Sequence, residues 1–253
     1  MKHKLMLVVT TLAMTGQCNA GWLSDIVDSG KEKIDSVKET VKENNNTISN
    51  VLSNEDITAG LKEALTKGAG YAVDHLGKAD GFLKNADVKI PMPDNLNKVE
   101  SILRKAGQDK YADEFITTMN RAAESAVPLT LDILKQGITG MSISDAKNIL
   151  QGPDDAATQY LKKTGGEKLS AQISPIVKEA TSKAGVTRVY KTMYGKLGFA
   201  GKYLKLEDYN VDNYVTQKTM DGLFTMIAQE EKKIRDNPAE RTSEILKSVF
   251  GSN

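Results

Sequence analysis

Tyr111-Ala112-Asp113-Glu114-Phe115-Ile116-Thr117-Thr118-Met119-Asn120-Arg121-Ala122-Ala123-Glu124-Ser125-Ala126-Val127-Pro128 decides the fold class. Its apolar residues Tyr111, Phe115, Met119, Ala122 and Ala126 recur at spacings of four, four, three and four, which puts them on one face of an α-helix. The face opens with large side chains and closes in alanines, so its second half admits a close neighbour. Asn120, Arg121 and Glu124 lie within about a turn of one another beside that face. Pro128 lacks the N–H that would bond the Glu124 carbonyl, so the helix must kink or stop there. A charged cluster beside small residues and a proline break is where a specific interaction is expected.

Outward from this stretch the helical period continues and strand-like alternation is nearly absent. Aromatics make up only 6% of the chain, while Ala, Leu, Ile, Lys and Glu are plentiful. The expected fold is all-α, one compact multi-helix domain over about residues 53–251. Ser53 is placed to N-cap a helix running to Leu76, with Gly77 as its stop and glycines at 60, 68 and 70 marking close packing. Residues 77–93, with Asp80-Gly81-Phe82 and Ile90-Pro91-Met92-Pro93, cannot be regular helix.

A short helix follows at about 94–106, with Leu96, Val99, Ile102 and Leu103 inward, and Asp109 is placed to cap the central helix. Beyond Pro128, an apolar segment reaches Ile138, and Ser142 to Asp145 start a short helix that ends at Gly152-Pro153. Asp154 and Asp155 then sit where first-turn acids suit a helix dipole. A longer helix is expected from about Glu167 to Gly185, restarting at Pro175, and another from Thr187 to Leu197. Asp212 or Thr216 caps the next, whose inward face is Met220, Leu223, Phe224, Ile227 and Ile234. Within it, Glu230-Glu231-Lys232-Lys233 reads as a solvated face. Asn237-Pro238 caps the turn before a last helix that buries Ile245, Leu246, Val249 and Phe250.

The first twenty residues have the three parts of a secretory signal: basic Lys2, His3 and Lys4, an apolar run from Leu5 to Met14, and small side chains around Ala20. Cleavage after Ala20 is expected, giving an exported, periplasmic protein with no transmembrane segment. The alternative is a lipoprotein anchored through Cys18, but Thr15 and Gln17 fit a lipobox poorly. Cleavage removes the only cysteine, so neither disulfides nor a thiol nucleophile remain. It also removes Lys2 and Lys4, which takes the formal charge from +1 to −1 and leaves no electrostatic footprint for nucleic acid. Residues 21–52 form an amphipathic segment with Leu23, Val27, Gly30, Ile34, Val37 and Val41 at alternating spacings of four and three, closed by Asn44-Asn45-Asn46. Self-association through residues 23–41 is a possible use of that seam.

Much chemistry is excluded. His75 is the only histidine after cleavage, which rules out a two-histidine zinc site; its place near a helix end suits a partner for free carbonyls. There is no P-loop, dinucleotide fingerprint or EF-hand loop, and no cofactor is expected. Carboxylates remain. Glu124 with Glu230 or Glu231, or Asp154 with Asp155, could in principle do acid–base work at about 5–9 Å separation. Neighbours in a first helical turn diverge, however, so Asp154 and Asp155 read better as caps. Asn120, Arg121 and Glu124 read better as a polar lock between helices, with Glu124 and Arg121 of comparable weight to stability.

Several separate stretches together resemble one family. They are Asp56 to Leu65, Gly81-Phe82, Ile90-Pro91-Met92-Pro93, Met119 to Glu124, Gly152-Pro153-Asp154-Asp155-Ala156-Ala157-Thr158, and Asp221-Gly222-Leu223-Phe224. Over about residues 53–251 the chain is similar to the bacterial domain-of-unknown-function 4197 family. The resemblance implies an exported helical domain, sometimes carried on a lipoprotein, and assigns no activity and no catalytic residue. The leading expectation is a non-enzymatic protein that binds a protein partner or an apolar ligand. The alternative is a carboxylate-dependent hydrolase using Glu124 and acids near the Pro128 break.

Overall fold

Ser53 opens the first helix by a reciprocal cap: its hydroxyl accepts the Asp56 N–H at 3.0 Å, and the Asp56 carboxylate accepts the Ser53 N–H at 3.3 Å. The helix, α1 (Asn54–Leu76), buries Ile57, Leu61, Leu65, Ala69, Ala72 and Leu76 on one face. In this computed structural model the described residues are 52–144, 146–198 and 210–251, and the chain divides between Val51 and Leu52. The expected leader and heptad segment, residues 199–209 and Asp145 lie outside the described residues.

Eight further α-helices follow among the described residues: α2 (Asn97–Lys105), α3 (Asp109–Ala126), α4 (Leu131–Gly140), α5 (Ala146–Leu150), α6 (Ala156–Ala184), α7 (Val186–Gly195), α8 (Val211–Asp236) and α9 (Glu244–Gly251). No strand occurs among them, so the fold is all-α. The core forms where α1 packs on α8, with α6 lying against α8 and α3 against α6 and α7. The glycines of α1 make this approach possible. A Cβ on Gly60 would stand 2.6 Å from Val249 Cγ2 of α9, and one on Gly68 3.1 Å from Ile227 Cγ2 of α8. Among the described residues no helix is long and apolar enough to cross a membrane.

Pro128 acts as expected: α3 stops at Ala126, a 3-10 turn covers Val127–Thr130, and α4 leaves from Leu131. Pro175 does not. One unbroken helix runs from Ala156 to Ala184, joining what the sequence divides into two. Pro175 and Ala171, whose carbonyl loses its donor, are both exposed, so water can satisfy that oxygen.

Two caps also differ from expectation. Asp109 makes no cap, because Gln108 precedes the helix without a side-chain bond and the Asp109 carboxylate accepts from Arg104 instead. Asn210, rather than Asp212 or Thr216, caps α8 by accepting the Asn213 N–H at 3.0 Å. Asp212 is committed elsewhere, to the Thr181 hydroxyl at 2.6 Å. Asn237 caps as expected, accepting the Ala239 N–H ahead of the 3-10 turn Pro238–Glu240. Ile102, expected inward, and Leu129, in the apolar segment after Pro128, are exposed.

Candidate functional site

The Asn120, Arg121 and Glu124 cluster faces the irregular stretch between α1 and α2. Asn120 is fully buried and behaves as a peptide group turned sideways. Its Oδ1 accepts the Ile90 N–H at 2.9 Å, while its Nδ2 donates to the Ile90 carbonyl at 2.8 Å and the Ile116 carbonyl at 2.7 Å. Ile90 sits between residues that cannot supply a regular backbone ladder, so one side-chain amide satisfies both of its polar groups.

One turn further along α3, Glu124 does the same for the start of that loop. Its Oε1 accepts the N–H groups of Phe82 and Leu83, each at 3.1 Å, and its Oε2 accepts from Arg121 Nη1 at 2.6 Å. Arg121 continues to Asp80 at 2.6 Å, and Lys84 pairs with the same carboxylate at 2.7 Å. Hydrogen bonds from Lys84 and then Arg121 hold the Asp80 carboxyl below its ordinary value. Asp80 takes a positive φ of 69°, the sharp bend that sends Phe82 into the core. There the ring meets α8, where a Cβ on Gly222 would stand 2.6 Å from Phe82 Cε1. The cluster therefore fastens a loop to a helix.

A second carboxylate makes an equivalent arrangement. Glu231 of α8, fully buried, accepts the N–H of Ala157 at 3.0 Å and that of Thr158 at 2.8 Å, together with the Thr158 hydroxyl at 2.7 Å. Arg235 donates to it from Nε at 3.0 Å and reaches on to the carbonyls of Leu150 and Ile149 at the end of α5. Glu231 thus caps α6 from a distant helix, and Arg235 closes α5. Charge-assisted bonds of this kind fill the lone pairs a catalytic carboxylate would need free.

Three expectations change accordingly. Glu230-Glu231-Lys232-Lys233 is not a solvated face: Glu230 is buried, held by Lys67 at 3.4 Å and Lys233 at 3.3 Å, and Glu231 is in the core. Asp154 and Asp155 do not cap α6, since Glu231 already holds those N–H groups. Asp154 pairs with Lys232, whose hydrogen bond keeps its carboxyl below the usual range, and Asp155 accepts from Gln159 at 2.8 Å. Glu124 and the Asp154–Asp155 pair, weighed together as acid–base candidates, belong to separate hydrogen-bonded arrangements. His75 is structural, stacked on Tyr71 with centroids 3.8 Å apart and its Nδ1 2.8 Å from the Tyr71 carbonyl.

Asp154 and Asp155 instead line an open groove between α6 and α8, of about 660 Å³. Phe224, Ala228 and Pro153 supply its apolar surface, and Lys162, Asp221 and Lys232 complete its charged edge. Lys162 lies over the Phe224 ring at 5.7 Å and within 3.5 Å of Asp221. Among the described residues no group of three or more His, Cys, Asp and Glu side chains could hold a metal ion.

A family model described as a protein of unknown function, DUF4197, matches residues 51–251. No curated protein and no solved structure matches the chain.

Proposed function

The chain belongs to the DUF4197 family, and from that premise we propose that it is an exported, non-enzymatic binding protein that takes a segment of a protein partner in the groove between α6 and α8. One observation carries this reading. The buried carboxylates Glu124 and Glu231 are saturated by backbone N–H groups and arginines, while the groove beside the second of them stands open. Two stretches that mark the family resemblance, Gly152 to Thr158 and Asp221 to Phe224, meet along that groove. Charged side chains of both signs on its edge suit a peptide with polar groups around an apolar anchor. A purely apolar ligand prefers a lining with few charges. The smaller cavity between α4 and α6, about 360 Å³ with Met141, Leu161 and Leu169 in its lining, is the place that would take one.

Export and cleavage after Ala20 are part of the proposal, supported by the leader pattern of the first twenty residues. The test places a photo-crosslinking residue at Gln159 or Lys162, and a control at Lys105 on α2, in the full chain expressed in an exporting bacterium. The expected result is one dominant protein adduct from the groove positions, absent from the control, on a chain whose intact mass begins at Gly21. Adducts that do not depend on position contradict the groove. Bound lipid on extraction with no protein adduct transfers the function to the α4–α6 cavity. A diacylglyceryl group on Cys18 replaces a free periplasmic protein with an anchored one.

A further inference from the structure

The junction of α6 and α7 gathers positive charge that is not neutralised by an ion pair among the described residues. Gly185 ends α6 in the left-handed region at φ 75°, and the turn sets the start of α7 beside the last turns of α6. Lys178 from α6 and Arg188 and Lys191 from α7 thereby line one concavity of about 680 Å³, with Ser182, Thr187 and Thr192 between them. Among the described residues the one carboxylate in its lining, Asp212, is engaged by the Thr181 hydroxyl at 2.6 Å.

Arg188 is distinctive among the described arginines. Arg104 and Arg121 bind carboxylates, Arg235 binds Glu231 and two carbonyls, and Arg241 binds the carbonyls of Ile234 and Arg235. The Arg188 guanidinium has no carboxylate or carbonyl partner among the described residues, and neither Lys178 nor Lys191 forms an ion pair there. It folds over Gly185, where a Cβ would stand 3.2 Å from its Nη2, so the missing side chain gives the fork its place. By contrast Lys183, on the adjoining surface, is paired with Glu179 at 2.6 Å.

A planar fork, two ammonium groups and the Ser182 and Thr187 hydroxyls around one concavity match the oxygens of a phosphate group better than those of a single carboxylate. We infer that this concavity binds a phosphate group, through Arg188 and Lys191 of α7 and Lys178 of α6, with the Thr187 and Ser182 hydroxyls as further donors. The site is separate from the α6–α8 groove, so either can fail alone.

The test titrates the full chain with inorganic phosphate and with pyrophosphate, following backbone amide shifts at residues 178–192, and in parallel co-sediments it with phosphatidylglycerol and phosphatidylcholine vesicles. Saturable shifts confined to this junction, weakened about tenfold in Arg188→Gln and again in Lys191→Gln but not in Lys183→Gln, are expected. Rising salt should weaken them further. Binding to phosphatidylglycerol vesicles alone, lost in the same variants, assigns the phosphate to a lipid headgroup. The substituted side chains are exposed, so melting temperatures should not change and an affinity loss will not reflect misfolding. No saturable binding of any probe, or equal binding by Arg188→Gln, overturns the site.

Discussion

Glu231 accepts both the backbone N–H of Thr158, at 2.8 Å, and the hydroxyl of the same residue, at 2.7 Å, across 73 positions of chain. One carboxylate oxygen thereby supplies what an N-cap side chain normally supplies, from another helix. Because Thr158 is 2% exposed, its hydroxyl has no water to fall back on. Thr158→Ala should cost about 1–2 kcal/mol, or roughly 2–8 °C for a domain of this size. Thr158→Ser, which keeps the hydroxyl, should recover most of that in the same thermal scan. Equal losses in the two variants would assign the effect to the methyl group instead.

Gly222 and Gly70 should respond in opposite directions to alanine. At Gly222 the new Cβ would press on Phe82, a ring that cannot retreat because Glu124 holds its backbone, so a loss of about 1–3 kcal/mol is expected. At Gly70 nothing lies within 4 Å, and helix propensity alone should add up to about 1 kcal/mol. Urea unfolding of the two variants measures both signs.

Acid should break two ion pairs only below the ordinary carboxylate range. Asp80, bound by Lys84 and Arg121, and Asp154, bound by Lys232, both titrate below the ordinary aspartate value of 3.8 in the folded chain. A depressed folded value means that each contribution is complete above the unfolded value and is lost as pH falls through the folded one. Carboxyl carbon shifts should therefore show midpoints below 3.8 for both residues, and Lys232→Gln should raise that of Asp154 alone. Midpoints at or above 3.8 would mean that these pairs do not persist in solution.

Much of this was legible in the sequence, and the misses have physical reasons. The i, i+3 and i+4 spacing of Asn120, Arg121 and Glu124 beside an alanine face reads as a lock between helices, whereas Asn120 and Glu124 bond the backbone of the loop after α1. Those partners were not legible, because the N–H groups of Phe82, Leu83 and Ile90 belong to the backbone and leave no side-chain signature. Glu231 could have been found. It stands four residues after Ile227 and three before Ile234, both buried, so helical spacing puts it on the inward face of α8 despite the charges around it. Reading the run Glu230 to Lys233 as a charge cluster hid that periodicity. Pro175 misled for a different reason: whether a proline breaks a helix depends on whether water reaches the freed carbonyl, which sequence alone does not show.

The central claim is that Glu124 and Glu231 serve as scaffold rather than catalyst, and the unfolding free energy of their alanine variants tests it most directly. Each substitution strands two backbone N–H groups and removes the carboxylate from an arginine, so each should cost about 3–5 kcal/mol in urea unfolding. Arg121→Ala should cost less than Glu124→Ala, because Arg121 is 41% exposed and Glu124 keeps both N–H donors without it. The sequence alone had put the two on an equal footing. The double variant Arg121→Ala/Glu124→Ala should lose less than the sum of the two singles. Unchanged or raised stability in Glu124→Ala and Glu231→Ala, the response expected when a strained catalytic group is removed, would contradict the account.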